Sequence, residues 1–270
     1  MPPPEGKVLL VGAGPGAADL LTVRAVRAIA SANVVLYDAL VDADVRALIP
    51  AHAKSIAVGK RGRRASTSQD FINRLMARLA LQGLCVVRLK GGDPSIFGRA
   101  GEERAYLESR GVAVEVIPGV TTACAAAAQF GFTLTARGDA RRVLFATGRT
   151  FQGAQTDWRA AVDAETTLCL YMGCADIREI AQRLIEAGRA PSTPALAAVN
   201  VEREGARQIA TRLEHLPTAL ASIAPDAPVL ITIGAVCNAV ARPARTLART
   251  ARASSLHSHS IVPGGFEVMS

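Results

Sequence analysis

Short apolar runs alternate with amphipathic stretches along most of this chain. Residues 7–11 (Lys-Val-Leu-Leu-Val) predict a buried strand. Gly12-Ala13-Gly14-Pro15-Gly16 follows at once, and apolar positions at helical spacing occupy 19–29. A second strand over 34–37 ends at Asp38, which completes a β-loop-α-β unit of the kind that begins a parallel sheet. The rhythm continues with a short helix over 42–50 closed by Pro50, a strand over 55–58, and a helix over 71–82 that Ser66 to Asp70 can cap and Gly83 ends. An apolar run at 85–87 leads into Arg88-Leu89-Lys90-Gly91-Gly92-Asp93-Pro94. A helix over 102–110 and a strand over 112–117 then lead to the sharp break Pro118-Gly119.

Beyond that break, Val120-Thr121-Thr122 opens a small-residue helix, and the α/β pattern repeats. Strands are predicted over 143–147, 167–173, 194–199 and 229–234, with an edge strand near 208–210 and helices over 177–187 and 213–223. The fold class is α/β, with two α/β domains, 6–118 and 119–241, built on mostly parallel sheets. Residues 243–270 are rich in Ala, Arg, Ser and His and lack periodicity, so 242–270 reads as a disordered tail.

Composition narrows the function. Half of the residues are apolar and only 4% aromatic, so the core is made of small aliphatic side chains. The net charge of +8 fits an acidic ligand, and equally a solvated basic surface. No aromatic-basic interleaving points to nucleic acid. The five cysteines are scattered and odd in number, as expected of reduced thiols in a cytoplasmic protein. No apolar run reaches the roughly 18 residues of a membrane span, and the first residues carry no signal-peptide pattern. There is no P-loop, no His-Glu-x-x-His, no zinc spacing, and the four histidines avoid the glycine loops. No metal site is expected.

The candidate chemistry lies in the strand-end loops, which parallel sheets gather at their carboxyl edge. Gly91 and Gly92 let a ligand approach the main chain, and Asp93 places a fixed acceptor beside that bare backbone. The loop at 12–16 nearly satisfies the dinucleotide fingerprint, and Asp38 follows about 20 residues later, where a ribose-binding acid would stand. A dinucleotide-dependent oxidoreductase is therefore a rival reading. Pro15 opposes it by removing an N–H donor where a pyrophosphate needs one. Gly59-Lys60-Arg61-Gly62-Arg63-Arg64 is a basic loop, suited to solvent or to an anionic ligand.

Taken in order, Val11 to Gly16, Leu36-Tyr37-Asp38, Val58-Gly59-Lys60-Arg61, Arg88 to Pro94, Pro118-Gly119-Val120-Thr121 and Tyr171-Met172-Gly173 resemble the tetrapyrrole methylases, across roughly residues 6–237. The resemblance implies S-adenosylmethionine bound in a cleft between the two domains of a homodimer; composition and cysteine usage point to a cytoplasmic protein with no nucleic-acid or membrane partner. It implies two methyl transfers to uroporphyrinogen III, giving precorrin-2 and S-adenosylhomocysteine on the route to sirohaem and cobalamin. By position it assigns the cofactor site to Pro15, Gly91, Gly92, Asp93, Ile96, Thr121, Thr122, Met172 and Val201. Asp38 matches the proposed proton acceptor and Lys60 the proposed proton donor. Without the family, Asp38 reads equally as a strand-end cap and Lys60 as a substrate carboxylate binder.

Some residues depart from the pattern. Ser95 replaces the usual Phe, Ala136 a frequent His, and Asn200-Val201-Glu202-Arg203 lacks the small residue and Thr that commonly follow Asn. These departures leave a methylase of a later precorrin as the nearest alternative, with the dinucleotide-dependent oxidoreductase a distant one; a non-catalytic interaction protein would bind neither cofactor nor tetrapyrrole. The lack of an N-terminal dehydrogenase module suggests a stand-alone methylase.

Overall fold

The structure is a computed structural model that describes residues 6–59, 68–148 and 156–241. Lys60, the basic residues after it and the 242–270 tail lie outside the described residues. The first half forms five strands: β1 (Lys7–Gly12), β2 (Val34–Tyr37), β3 (Lys54–Ala57), β4 (Cys85–Lys90) and β5 (Ala113–Ile117). They lie in the order β3-β2-β4-β1-β5, and every pairing is parallel.

The continuous apolar run of β1 follows from burial on both faces. Leu9 and Val11 pack toward α1 (Val23–Ala30), and Val8 and Leu10 toward α3 (Gln69–Leu81) and α4 (Ala100–Glu108), with the short α2 (Ala43–Arg46) beside the first layer. Each cap is local. The side chain of Thr22 accepts from the Ala25 N–H at 3.1 Å, and that of Ser68 from the Phe71 N–H at 3.2 Å. The chain runs outward from β1 to β2 and β3 and later returns to β5 on the other side. The loops after β1 and β4 therefore meet at the place where the strand order reverses, the usual position of a ligand crevice.

After β5 the chain crosses to the second half through Pro118 to Thr121. There α5 (Thr122–Phe130) packs on a sheet of β6 (Arg142–Thr147), β7 (Thr166–Tyr171), β8 (Pro194–Val199), β9 (Arg207–Arg212) and β10 (Val229–Ile233), in the order β6-β7-β10-β8-β9. Ala123, Ala125, Ala126 and Ala127 lie against Cys169, Leu196, Ala198 and Leu230. The other face is covered by α6 (Ile177–Glu186) and α7 (Leu216–Ala219).

The expectation of mostly parallel sheets holds in the first half only. In the second, β6 and β7 pair in parallel, while β10 with β7, β10 with β8, and β8 with β9 are antiparallel. The short link between β8 and β9 makes a hairpin, which permits only an antiparallel pairing, and periodicity in a sequence does not encode strand direction. The helix expected over 213–223 is also broken, into a 3-10 turn (Leu213–His215) and the single turn α7. Pro217 lacks an N–H and is accommodated only in a first turn, so the helix restarts there. Among the described residues no helix is long and apolar enough to cross a membrane.

Candidate active site between the two halves

Three glycine loops are pressed backbone to backbone at the carboxyl edge of the first sheet. The Gly14 N–H donates to the Gly92 carbonyl at 3.2 Å, and the Gly92 N–H returns a bond to the Gly14 carbonyl at 2.7 Å. A Cβ on Gly119 would lie 2.4 Å from the Gly92 carbonyl oxygen, and one on Gly12 would lie 2.5 Å from the Gly119 nitrogen. Only glycine permits that approach. Gly92 adds a left-handed φ of +68°, and a Cβ there would meet nothing within 4 Å, so its main chain is bare toward open space.

That space is a cavity of about 490 Å³ between the halves, within the roughly 300–1,000 Å³ typical of small-molecule sites. Pro15, Gly91, Gly92, Asp93 and Ile96 line it from the first half. Thr121 and Thr122 line it from the crossover, and Met172 and Val201 from the second half; Asp38 also faces it. All the cofactor positions expected from sequence thus share one wall system with Asp38.

The structure revises the part expected of Asp93. Its Oδ1 accepts from the Ser95 N–H at 2.8 Å and from the Ser95 hydroxyl, and its Oδ2 accepts from the Gly119 N–H at 2.9 Å. The carboxylate is already committed to joining two loops. Ser95 completes that staple.

The dinucleotide reading loses its footing here. A 3-10 turn (Ala18–Leu20) separates the glycine loop from α1, so no helix N-terminus opens onto Gly16. The segment after β8 also covers the loop, since a Cβ on Gly16 would lie 2.3 Å from the Glu202 carbonyl. Arg203 reaches across from the second half, donating from Nε to the Pro15 carbonyl at 2.9 Å and from Nη2 to the Leu40 carbonyl. Burial holds its pKa below the usual arginine range.

Aromatic contacts close the opposite rim. Phe97 of the first half meets Tyr171 at the end of β7 with ring centroids 5.3 Å apart. The Tyr171 hydroxyl lies 2.7 Å from Thr121 Oγ1 and accepts from the Ala123 N–H at 3.2 Å, which caps α5. Burial raises its pKa. The non-glycine residues with left-handed φ among the described residues are Phe97, Arg99, Met172, Asn200 and Glu202. Each lines the cavity or adjoins a residue that does, and such backbone costs on the order of 1–3 kcal/mol per residue.

A buried ionic cluster lies beneath Asp38 and was not anticipated as a unit. Arg88 and Lys90 project from β4 in the sheet interior, and Glu103 of α4 has no exposed surface. Arg88 Nη2 donates to Asp38 Oδ1, Nε to Glu103 Oε1 at 3.4 Å, and Nη1 to the Leu89 carbonyl at 3.1 Å. Lys90 Nζ donates to Glu103 Oε2 at 2.8 Å. Burial lowers the Lys90 pKa, with Arg88 as the next cause and Glu103 acting against both. The sequence did hold a signal. Two cations at i and i+2 on one face of an interior strand require a buried counter-charge.

Known proteins share this fold. The family model for tetrapyrrole (corrin/porphyrin) methylases matches residues 7–217. A uroporphyrinogen-III C-methyltransferase of Pseudomonas aeruginosa is 44% identical over 232 residues, covering 86% of this chain and 94% of that protein. A siroheme synthase of Chromobacterium violaceum is 45% identical over 232 residues, covering 86% of this chain and 49% of that protein, so the chain spans about half the length of that relative. The crystal structure of the Thermus thermophilus uroporphyrin-III C-methyl transferase complexed with S-adenosyl homocysteine superposes with a TM-score of 0.75 at 40% identity, over 87% of this chain and all of that one. With the family model spanning both halves and the same fold recovered at this identity, the chain belongs to the tetrapyrrole methylase family.

Proposed function

We propose that this chain is an S-adenosylmethionine-dependent uroporphyrinogen-III C-methyltransferase, adding two methyl groups to give precorrin-2 for sirohaem or cobalamin synthesis. The observation that carries the proposal is the cavity between the halves, lined by the glycine loop, Thr121, Thr122 and Asp38. The near full-length P. aeruginosa relative supports the same substrate. A homodimeric cytoplasmic enzyme with domains at 6–118 and 119–241 belongs to the same proposal.

The residues present fit the cofactor. Gly92 leaves its Cα open to the cavity, with nothing within 4 Å of where a Cβ would stand, and the staple through Asp93 fixes the neighbouring loop. Pro15, Gly91, Gly92, Asp93, Ile96, Thr121, Thr122, Met172 and Val201 would hold it. When bound, it supplies a sulfonium methyl group, and the methyl leaves sulfur as a thioether while a new carbon–carbon bond forms.

The protein's share is alignment and proton handling. A reduced pyrrole carbon is already nucleophilic, so holding it in line with the methyl can supply several kcal/mol, up to roughly 7–11, through proximity. Each transfer leaves a cationic macrocycle that must lose one proton. Asp38 is the acceptor on this wall, with its side chain 31% exposed toward the cavity. Lys60, the matching donor candidate, belongs to the basic loop that would meet the substrate's carboxylates.

The test is anaerobic incubation with uroporphyrinogen III and S-adenosylmethionine, followed by mass spectrometry of the tetrapyrrole. A gain of two methyl groups is expected. No gain with cofactor still bound would transfer the reading to a later precorrin, and no gain without binding would overturn it.

A further inference from the structure

Glu103 poses a question that fold stability does not answer. It is a carboxylate with no exposed surface, and it does not line the cavity. It nevertheless receives three donors, from Arg88 Nε, Lys90 Nζ and Gln69 Nε2, the last at 2.9 Å. The cluster of Asp38, Arg88, Lys90 and Glu103 balances two negative against two positive charges. Buried ion clusters of this kind are poor stabilisers, because apolar replacements of similar volume are often neutral or better.

The geometry gives the cluster a different use. A lone arginine paired with Asp38 would keep the freedom of its long side chain. Here Arg88 is held at three points: Nη1 on the Leu89 carbonyl, Nε on Glu103, and Nη2 on Asp38 Oδ1. Glu103 is in turn fixed through its second oxygen by Lys90, and Gly98 leaves room for that lysine stem, since a Cβ there would lie 3.2 Å from Lys90 Cε. One oxygen of Asp38 is thereby pinned to a rigid support while the side chain stays open to the cavity.

We propose that Arg88, held in place by Glu103, is a positioning residue that fixes the Asp38 carboxylate for proton removal from the macrocycle. The proposal rests on the assignment of Asp38 as proton acceptor. The proton passes from the methylated macrocycle to Asp38, and Arg88 and Glu103 keep their own protonation states throughout.

A double-mutant cycle tests it. Glu103→Gln, Asp38→Asn and the double variant are compared for kcat and KM with uroporphyrinogen III under saturating S-adenosylmethionine. S-adenosylhomocysteine affinity is measured by calorimetry, and slow variants are followed by mass spectrometry over long times. Glu103→Gln is expected to lower kcat about tenfold or more, the size known for outer-layer partners at metal sites, with KM and cofactor affinity within about threefold of wild type. In the Asp38→Asn background the same change is expected to cost nothing further, because there is no longer a carboxylate to position. Equal losses in both backgrounds would mark a merely structural role and overturn the proposal. So would an unchanged kcat in Glu103→Gln beside a slow Asp38→Asn. Full activity of Asp38→Asn would remove the proton-acceptor assignment and the positioning role together. If Glu103→Gln does not fold, Arg88→Lys, which keeps the charge but loses the three-point fork, carries the same cycle.

Discussion

The interior strands of the two sheets are made of opposite materials. In the first half, β4 carries Arg88 and Lys90 into the interior, and Asn73 and Glu103 are buried around them. In the second, β8 reads Pro-Ala-Leu-Ala-Ala-Val, and the buried polar residues are Thr166, Thr167, Arg189 and Thr232. Both halves bury an arginine, yet they use it differently. Arg88 reaches a carboxylate on the cavity wall, whereas Arg189, among the described residues, donates to the main-chain carbonyls of Ala161, Asp163 and Thr166. Charge in the first half is directed at the site. In the second half it holds the chain before β7, and small side chains supply the shape that lets α5 and the crossover close on the cavity.

The sharpest way to break this contrast is to treat the two arginines alike. Arg189→Met removes three hydrogen bonds, to the buried Ala161 and Thr166 carbonyls and to the part-buried Asp163 carbonyl, which keeps the Thr166 N–H, at about 1 kcal/mol each. A loss of about 3 kcal/mol in denaturant unfolding is expected, with cofactor affinity retained by whatever fraction remains folded. A stable Arg189→Met that binds cofactor poorly would show that the second half also directs charge at the site.

Asp93→Ala tests the seam. It removes the staple between the glycine loop and Gly119, worth on the order of 2 kcal/mol for bonds to a charged acceptor. Calorimetry should show S-adenosylhomocysteine affinity weakened roughly tenfold or more, and an unchanged affinity would remove the loop from the cofactor seat. Tyr171→Phe keeps the ring against Phe97 but loses the cap on α5. About 1 kcal/mol of stability should disappear, read as a lower melting temperature. The smallest effect belongs to the neutral half. Thr167 Oγ1 is buried with no hydrogen-bond partner among the described residues, so Thr167→Val should be neutral or stabilise by up to about 1 kcal/mol.

The first half was the more legible from sequence because its strands begin as short apolar runs and end at glycine loops, as in β1 with Gly12 and in β4, whose apolar start over 85–87 leads to Gly91. Parallel order then gathers their loops at one edge without further information. The second half yielded its strands but not their directions, since β10 inserts between β7 and β8 and nothing in Val229 to Ile233 indicates which way it runs. The cavity wall was legible wherever a glycine or a short polar motif marks a loop. Glu103 was not, because Glu102-Glu103-Arg104 on a predicted helix looks like a solvated face. Its meaning depends on α4 lying over Arg88 and Lys90, a tertiary fact. Asp93 was found as a site residue with a different task, since its bond to Gly119 joins segments far apart in the chain.

The separation of proton handling from cofactor seating is tested most directly by Asp38→Asn, measured twice on the same preparation. S-adenosylhomocysteine affinity by calorimetry should stay within about threefold of wild type, because the proposed seat lies on the glycine seam and the second half. Methyl transfer to uroporphyrinogen III should fall by about 100-fold or more, the lower bound for losing a general base. Transfer at the wild-type rate, or a loss of affinity that matches the loss of rate, would contradict the account.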